Sequence, residues 1–335
     1  MGSRDFQSGV IRMHPLRFFG FIIILVLLVV LVGPLIMPIP PLPEPIAIAD
    51  LADPDSRFVE VNSIQVHYKI AGSGEPVLIL LHGFGSSTYT WHKVMDSLAA
   101  EGTVIAFDRP AFGLTERPMP GEWSGENPYS DAFQVQLTIG LMDALSVEKA
   151  VLVGHSAGGA IALQTALAHP DRVSGLVLVD AAIVEGSGMS GIARWLANTP
   201  QMKRFGPYLA RSLAGKEGDA FLEASWYDFT KFTAEDKAAY RKSLQVANWD
   251  VALWEYSQVN REFNLSGKLG EISMPVLVIS GDDDRIIPLA ESQQMAAELP
   301  DARRVTLAAC GHVPQEECPE EFLPPVLEYI GRFQH

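Results

Sequence analysis

The chain is poor in cysteine, in charge and in basic residues. Its 335 residues include two cysteines, Cys310 and Cys318. So few exclude a disulfide-built scaffold, and without a C-x-x-C pair there is no thiolate metal motif. Two free thiols are expected, with one bridge between them as the alternative in an oxidising compartment. Charged residues are 19% of the chain, and 40 acidic against 25 basic residues leave a net charge of −15. That sign repels phosphate backbones, so nucleic acid is not an expected partner. Internal repeats are also lacking. What the chain has in quantity is apolar: 48% hydrophobic residues and a mean hydropathy of +0.14.

Much of that apolarity sits in one segment. Phe18 to Val32 is apolar throughout, with Gly20 its weak point, and Leu35, Ile36 and Met37 extend it beyond Pro34. About 20 such residues, rising 1.5 Å each, span a bilayer core. Arg4, Arg12 and Arg17 precede the run, whereas Glu44, Asp50, Asp53 and Asp55 follow it. The positive-inside bias predicts a cytoplasmic N-terminus (1–17), a transmembrane anchor (18–37) and a folded part on the non-cytoplasmic side. A cleaved signal peptide is the first alternative. Ala47-Ile48-Ala49 has the form of a cleavage site but lies about fifteen residues too far downstream. A buried core helix is the second, and the proline-rich stretch that follows argues against it. Pro38, Pro40, Pro41, Pro43 and Pro45 in the 38–55 linker predict a stiff spacer that holds the domain off the membrane.

The remainder suits one large domain with an insertion. Arg57 to Tyr68 alternates apolar and polar around Asn62-Ser63, as a β-hairpin does. Apolar runs at Val77–Leu81, Val104–Phe107, Val151–Val153, Leu176–Val179 and Val276–Ile279 read as buried parallel strands. Helical stretches at Trp91–Ala100, Asp131–Leu145 and Gly158–Ala168 lie between them. This alternation predicts a mostly parallel, doubly wound α/β sheet, with core residues at 56–184 and 266–335. It stops after Asp180. From Glu185 to Leu265 the chain holds Trp195, Trp226, Trp249 and Trp254 and helical periodicity near Lys237–Val246, which predicts an inserted helical cap over 185–265.

Gly154-His155-Ser156-Ala157-Gly158 follows one of those strands and opens a small-residue helix. This is the pattern of a nucleophile elbow: a tight turn exposes the serine, and the helix N-terminus points partial positive charge at it. A serine hydroxyl needs a base. His312 lies on a loop after the apolar run Val305–Leu307, at the end of the sheet where such folds keep their sites. His155 is directed elsewhere by adjacency along the turn. His169 before Pro170 reads as structural, and His82 as a loop-shaping residue. The imidazole needs a carboxylate to fix its tautomer. Asp284, after Gly281, is the expected acid, Asp282 and Asp283 its loop neighbours, and Asp180 a remote alternative. The backbone N–H groups of Phe84 and Ala157 are the candidate oxyanion donors.

These residues resemble the α/β-hydrolase superfamily over about Phe58 to Phe333. The resemblance rests on His82-Gly83-Phe84-Gly85, Asp108-Arg109-Pro110-Ala111-Phe112-Gly113, the serine elbow, Gly281 through Pro288, and Gly311-His312 with Glu316 and Pro319. The chain looks like the cap-bearing group of carboxylesterases, monoacylglycerol lipases and meta-cleavage-product hydrolases. Ser156 argues against the epoxide hydrolases and haloalkane dehalogenases, whose nucleophile there is aspartate. Val313 stands where the C–C hydrolases often carry tryptophan, and Ala111 where the family often carries glycine. The implied activity is hydrolysis of a small or medium hydrophobic carboxylic ester through an acyl-enzyme, with no metal or organic cofactor. A C–C or amide hydrolase with the same triad, an acyltransferase and a non-catalytic ligand receptor are the alternatives.

Overall fold

The computed structural model describes residues 15–183, 191–259, 265 and 267–334. Eight strands make one sheet: β1 (Arg57–Val61), β2 (Ile64–Ala71), β3 (Val77–Leu81), β4 (Thr103–Phe107), β5 (Ala150–His155), β6 (Val173–Val179), β7 (Val276–Gly281) and β8 (Ala302–Leu307). Their order is β1-β2-β4-β3-β5-β6-β7-β8. The β1–β2 and β2–β4 pairs are antiparallel and the other five parallel. Asn62 and Ser63 both have positive φ (51° and 62°), as the two-residue turn of a hairpin demands. Every residue of β3 and β5 is buried, so both read as unbroken apolar runs.

The helices are α1 (Pro15–Ile36), α2 (Ile48–Leu51), α3 (Met95–Ala99), α4 (Asp131–Ala144), α5 (Ala157–Ala168), α6 (Gly191–Ala197), α7 (Pro200–Ala210), α8 (Lys216–Ala224), α9 (Ala234–Lys242), α10 (Trp249–Gln258), α11 (Leu289–Glu298), α12 (Pro314–Glu317) and α13 (Pro319–Ile330). One sheet face packs against Leu137, Leu141, Ile161 and Met295 of α4, α5 and α11. The other packs against Leu98 of α3 and Phe322, Val326 and Tyr329 of α13. Helices α6 to α10 form the helical insert between β6 and β7. Trp249, Leu253 and Tyr256 of α10 pack onto Phe112 and Tyr129 of the core.

Three sequence expectations change, and one helix that was not expected is present. The helix predicted over Trp91–Ala100 is a 3₁₀ turn (Thr88–Trp91), started by the Ser87 side chain, followed by the short α3. The expected free thiols are a Cys310–Cys318 disulfide. The turn of α12 folds the chain back until their Cα atoms are 6.3 Å apart, within bridging reach. Helix α13 was masked in the sequence by Pro324 and Pro325. The proline-rich linker does not stand free: Leu42 packs into the cap cluster, and Ile46 N–H donates to Gln245 O (2.9 Å).

Over Phe18–Ile36, α1 is apolar (mean hydropathy 3.2) and exposed. Its C-terminal end meets α7. Pro38 has no N–H, so Pro34 O lacks the donor four residues on. Arg204 supplies one to Pro34 O at 2.6 Å and another to Met37 O at 2.9 Å. Gln201 donates to Leu31 O at 2.8 Å. Arg4, Arg12 and Glu185 lie outside the described residues.

Candidate active site

β3 is the point where the strand order reverses, with β4 on one side and β5 on the other. The loops leaving β3 and β5 must therefore diverge, and a crevice opens between them. Ser156 stands there, with φ 51° and ψ −122°, a backbone conformation non-glycine residues rarely hold. Its neighbours make the turn possible. A Cβ on Gly154 would fall 2.5 Å from Gly159 Cα, and one on Gly158 would fall 2.2 Å from Leu81 O. Only glycine lets β5, α5 and β3 approach so closely.

His312 and Asp284 arrive from the far side, on the loops after β8 and β7. His312 Nε2 is 3.0 Å from Ser156 Oγ, and His312 Nδ1 is 2.7 Å from Asp284 Oδ2. All three residues are buried. Asp284 Oδ1 also accepts from Ile286 N–H (2.7 Å) and Ile287 N–H (2.9 Å). Burial raises the Asp284 pKa, but the His312 contact and the two amides outweigh it and hold the carboxyl below its usual range. An ionised Asp284 fixes the proton on Nδ1 and leaves the Nε2 lone pair facing the hydroxyl. Asp283 instead pairs with Arg285. Asp282 accepts from Cys310 N–H at 3.4 Å.

Asp180 stands beside Asp284 at the end of β6. Oxygens of Asp180 and Asp284 and a nitrogen of His312 all lie within 4.8 Å of one another. Asp180 is fully buried, and its carboxyl also meets Gly281 N–H at 3.2 Å. Burial, then the Asp284 charge, push its pKa well above the usual range. Two carboxyls so close cannot both ionise. Asp180 therefore keeps its proton and Asp284 carries the charge.

The loop after β3 lies against the serine. A Cβ on Gly83 would fall 2.8 Å from His155 Nδ1 and 3.1 Å from Ser156 Cβ. Among the described residues, neither Phe84 N–H nor Ala157 N–H has an acceptor. Ala157 opens α5, where first-turn amides have no intrahelical partner. His82 shapes this loop: its Nδ1–H donates to Gly83 O (2.7 Å) and its Nε2 accepts from Arg109 N–H (3.0 Å). Burial, with Arg109 beside it, lowers its pKa to about 3, so it stays neutral.

Two residues hold the histidine loop: His155, which the sequence reading directed away from the serine, and Glu317, which it did not single out. His155 Nε2–H donates to His312 O at 2.7 Å. Burial and the neighbouring His312 lower the His155 pKa to about 3. Glu317 accepts from Gly311 N–H (2.7 Å), Tyr227 N–H (3.0 Å) and Asp228 N–H (2.7 Å). His312 N–H itself donates to Ser225 O at 2.8 Å. The cap segment 225–228 thus clamps the loop that carries His312.

Phe84 and Gly85 also line an apolar cavity of about 80 Å³, together with Phe112, Phe221, Leu222 and Leu253. Its far walls belong to the cap, so one loop touches both the serine and the apolar space.

Residues 76–319 match the family model described as the alpha/beta hydrolase fold. A 2-hydroxy-6-oxononadienedioate/2-hydroxy-6-oxononatrienedioate hydrolase of Paraburkholderia phymatum is 29% identical, over 83% of this chain and 96% of its own. An esterase from Thermogutta terrifontis superposes with a TM-score of 0.68 at 24% identity, covering 83% of this chain and 98% of its own. A bacterial membrane phospholipase A superposes with a TM-score of 0.64 at 23% identity, covering 95% of this chain and 98% of its own. The last two likenesses speak for the fold.

Proposed function

Because this chain belongs to the alpha/beta hydrolase family, we propose that it is a serine hydrolase cleaving carboxylic esters of small or medium hydrophobic substrates. Ser156 is the nucleophile, His312 the general base and Asp284 the acid that orients it. The 3.0 Å approach of His312 Nε2 to Ser156 Oγ carries this reading. As the hydroxyl attacks the carbonyl carbon, its proton passes to His312, and Phe84 and Ala157 N–H receive the developing oxyanion. His312 then protonates the leaving alcohol. Water, deprotonated by the same nitrogen, attacks the acyl-enzyme and releases the acid. The apolar cavity beside Phe84 supports a hydrophobic acyl or alcohol group.

The proposal includes an uncleaved anchor. Helix α1 crosses a membrane once and places the catalytic domain on the non-cytoplasmic side. Its apolar, exposed length supports this, as does a disulfide in the domain. The contacts of α7 with the end of α1 set the cap beside the bilayer, within reach of esters dissolved in it.

The test is a set of p-nitrophenyl esters of graded chain length, with fluorophosphonate labelling. Ser156→Ala is expected to lower ester turnover by about 10⁴-fold or more and to abolish labelling. Labelling that persists in that variant overturns the assignment of the nucleophile. A second reading, C–C bond hydrolysis, has the Paraburkholderia relative in its favour. A vinylogous diketone cleaved faster than every ester would establish it.

A further inference from the structure

Away from Ser156, three side chains from three separate segments converge at the seam between core and cap. His92 follows the 3₁₀ turn after β3, Asp236 lies on cap helix α9, and Glu316 lies on α12, four residues past His312. One ligand atom from each lies within 4.8 Å of the other two. His92 Nε2 faces Asp236 Oδ1 at 3.9 Å.

The local bonding leaves a lone pair free on His92 and an oxygen of Glu316 without a partner. A carbonyl only accepts, so the 2.8 Å contact of His92 Nδ1 with Tyr89 O fixes that nitrogen as donor. The free lone pair is then on Nε2, the tautomer in which metal-bound histidines are commonly held. Asp236 Oδ2 takes the N–H and hydroxyl of Thr233, both at 2.7 Å, while Oδ1 takes only the Tyr89 hydroxyl, at 2.8 Å. Glu316 is wholly buried. Its Oε1 receives both the Thr90 and Tyr240 hydroxyls, whereas its Oε2 has no hydrogen-bond partner.

Two nearly buried carboxylates thus stand together with no lysine or arginine paired to either among the described residues. Lys93, the nearest cation, is turned to Glu316 O (2.8 Å) and the Trp226 ring (5.6 Å to its centroid). An unpartnered buried carboxylate oxygen is costly. One imidazole and two carboxylates are a zinc-type donor set. An entry path exists, because the His92 side chain is 31% exposed. His92 and Tyr89 also line a cavity of about 190 Å³, which Asp236 and Glu316 do not line.

We propose that His92, Asp236 and Glu316 bind one divalent transition-metal ion of the zinc type, which pins cap helix α9 to the core. The ion takes no part in bond cleavage. It holds the cap to the two segments that flank the active site, so cap closure depends on metal. The inference stands whichever bond the enzyme cuts.

The experiment uses the full-length protein in detergent, stripped with a chelator and titrated with Zn²⁺ against a chromophoric competitor. One saturable ion per chain is expected, with a rise in the melting temperature and slower proteolysis within the cap. His92→Ala and Glu316→Gln should each weaken binding by about tenfold or more, while Ser156→Ala binds as the parent does. Fluorophosphonate labelling of Ser156 verifies the fold of the first two variants, and His92, being partly exposed, tolerates truncation. Absence of a saturable site overturns the proposal: the carboxylate pair then holds a proton instead. Unchanged affinity in His92→Ala, or loss of binding in Ser156→Ala, overturns it too.

Discussion

The sheet and its cap contribute unequally to the candidate site. Every side chain proposed to move a proton stands on a loop at the end of β5, β7 or β8. β5 and β7 are buried along their whole length, whereas β8 is the sheet edge and is buried at Leu307, so the Ser156 and Asp284 loops leave rigid supports. The cap supplies no member of the triad. It contributes the Ser225 carbonyl, the 225–228 segment gripped by Glu317, and the walls of the apolar cavity. The core therefore sets what reaction is possible, and the cap sets which substrate reaches it and how firmly the histidine loop is held.

The division can be broken at the core first. Asp284→Asn keeps the shape of the acid but loses the charge that selects the histidine tautomer, so kcat should fall by about 10⁴-fold. Asp180→Asn should do little, because a neutral acid is replaced by a neutral amide. Its kcat should stay within about tenfold of the parent. Equal losses in the two variants, measured on one ester, would mean that the buried pair shares its charge.

At the seam, Glu317→Ala leaves three amide donors without their charged acceptor. The cost in stability should be roughly 3 kcal/mol, read from denaturant unfolding, with a fall in kcat as the His312 loop loosens. A variant as stable as the parent but slower would show that the clamp acts on catalysis alone.

The pH dependence sharpens the contrast from the core side. His82 and His155 are buried and neutral, their pKa values lowered to about 3 by burial, against about 6.5 in the unfolded chain. Between those values the unfolded chain binds up to two more protons than the folded one. The stability these groups confer is complete above about pH 6.5 and is lost on acidification, by about 2.7 kcal/mol per pH unit well inside the window. His155→Asn should remove about half of that slope. Chemical unfolding of the parent and His155→Asn at pH 5, 6 and 7 isolates this contribution, because the protonated Asp180 acts on the total in the opposite direction; equal slopes would mean that the His155 ring takes up its proton in the fold as readily as in the unfolded chain.

How much of this was legible follows the same division. Strands β3 and β5 to β7 announced themselves as apolar runs because both faces are covered. Ser156 was legible because strand, glycines and helix must adjoin in sequence to make its turn. The places of Asp284 and His312, on loops after β7 and β8, were readable from the late apolar runs. The roles of His155, Glu317 and Asp180 were not, since each depends on a contact between distant segments. Helix α13 was hidden by Pro324 and Pro325, whose helix-breaking tendency is overridden by the burial of Phe322, Val326, Tyr329 and Ile330. The disulfide was hidden for a similar reason: a spacing of eight residues becomes a bridge only after α12 turns the chain.

The smallest expected effect lies where core meets cap, at Ala111. The resembling family often carries glycine here, and the reason is visible: Ala111 holds φ 78°, in the left-handed region where a Cβ costs about 1–2 kcal/mol. Its methyl group is buried and lines the apolar cavity, which recovers about 0.8 kcal/mol. Ala111→Gly relieves the strain, forfeits the methyl burial and adds some unfolded-state entropy. The net change in unfolding free energy should lie within about 1 kcal/mol of zero, within about 2–4 °C in melting temperature. The wider cavity should also move the ester preference toward longer chains. A clear destabilisation would mean that packing of the methyl outweighs the strain. An unchanged chain-length preference would mean that Ala111 does not face the substrate, and that the cap alone sets the size of the pocket.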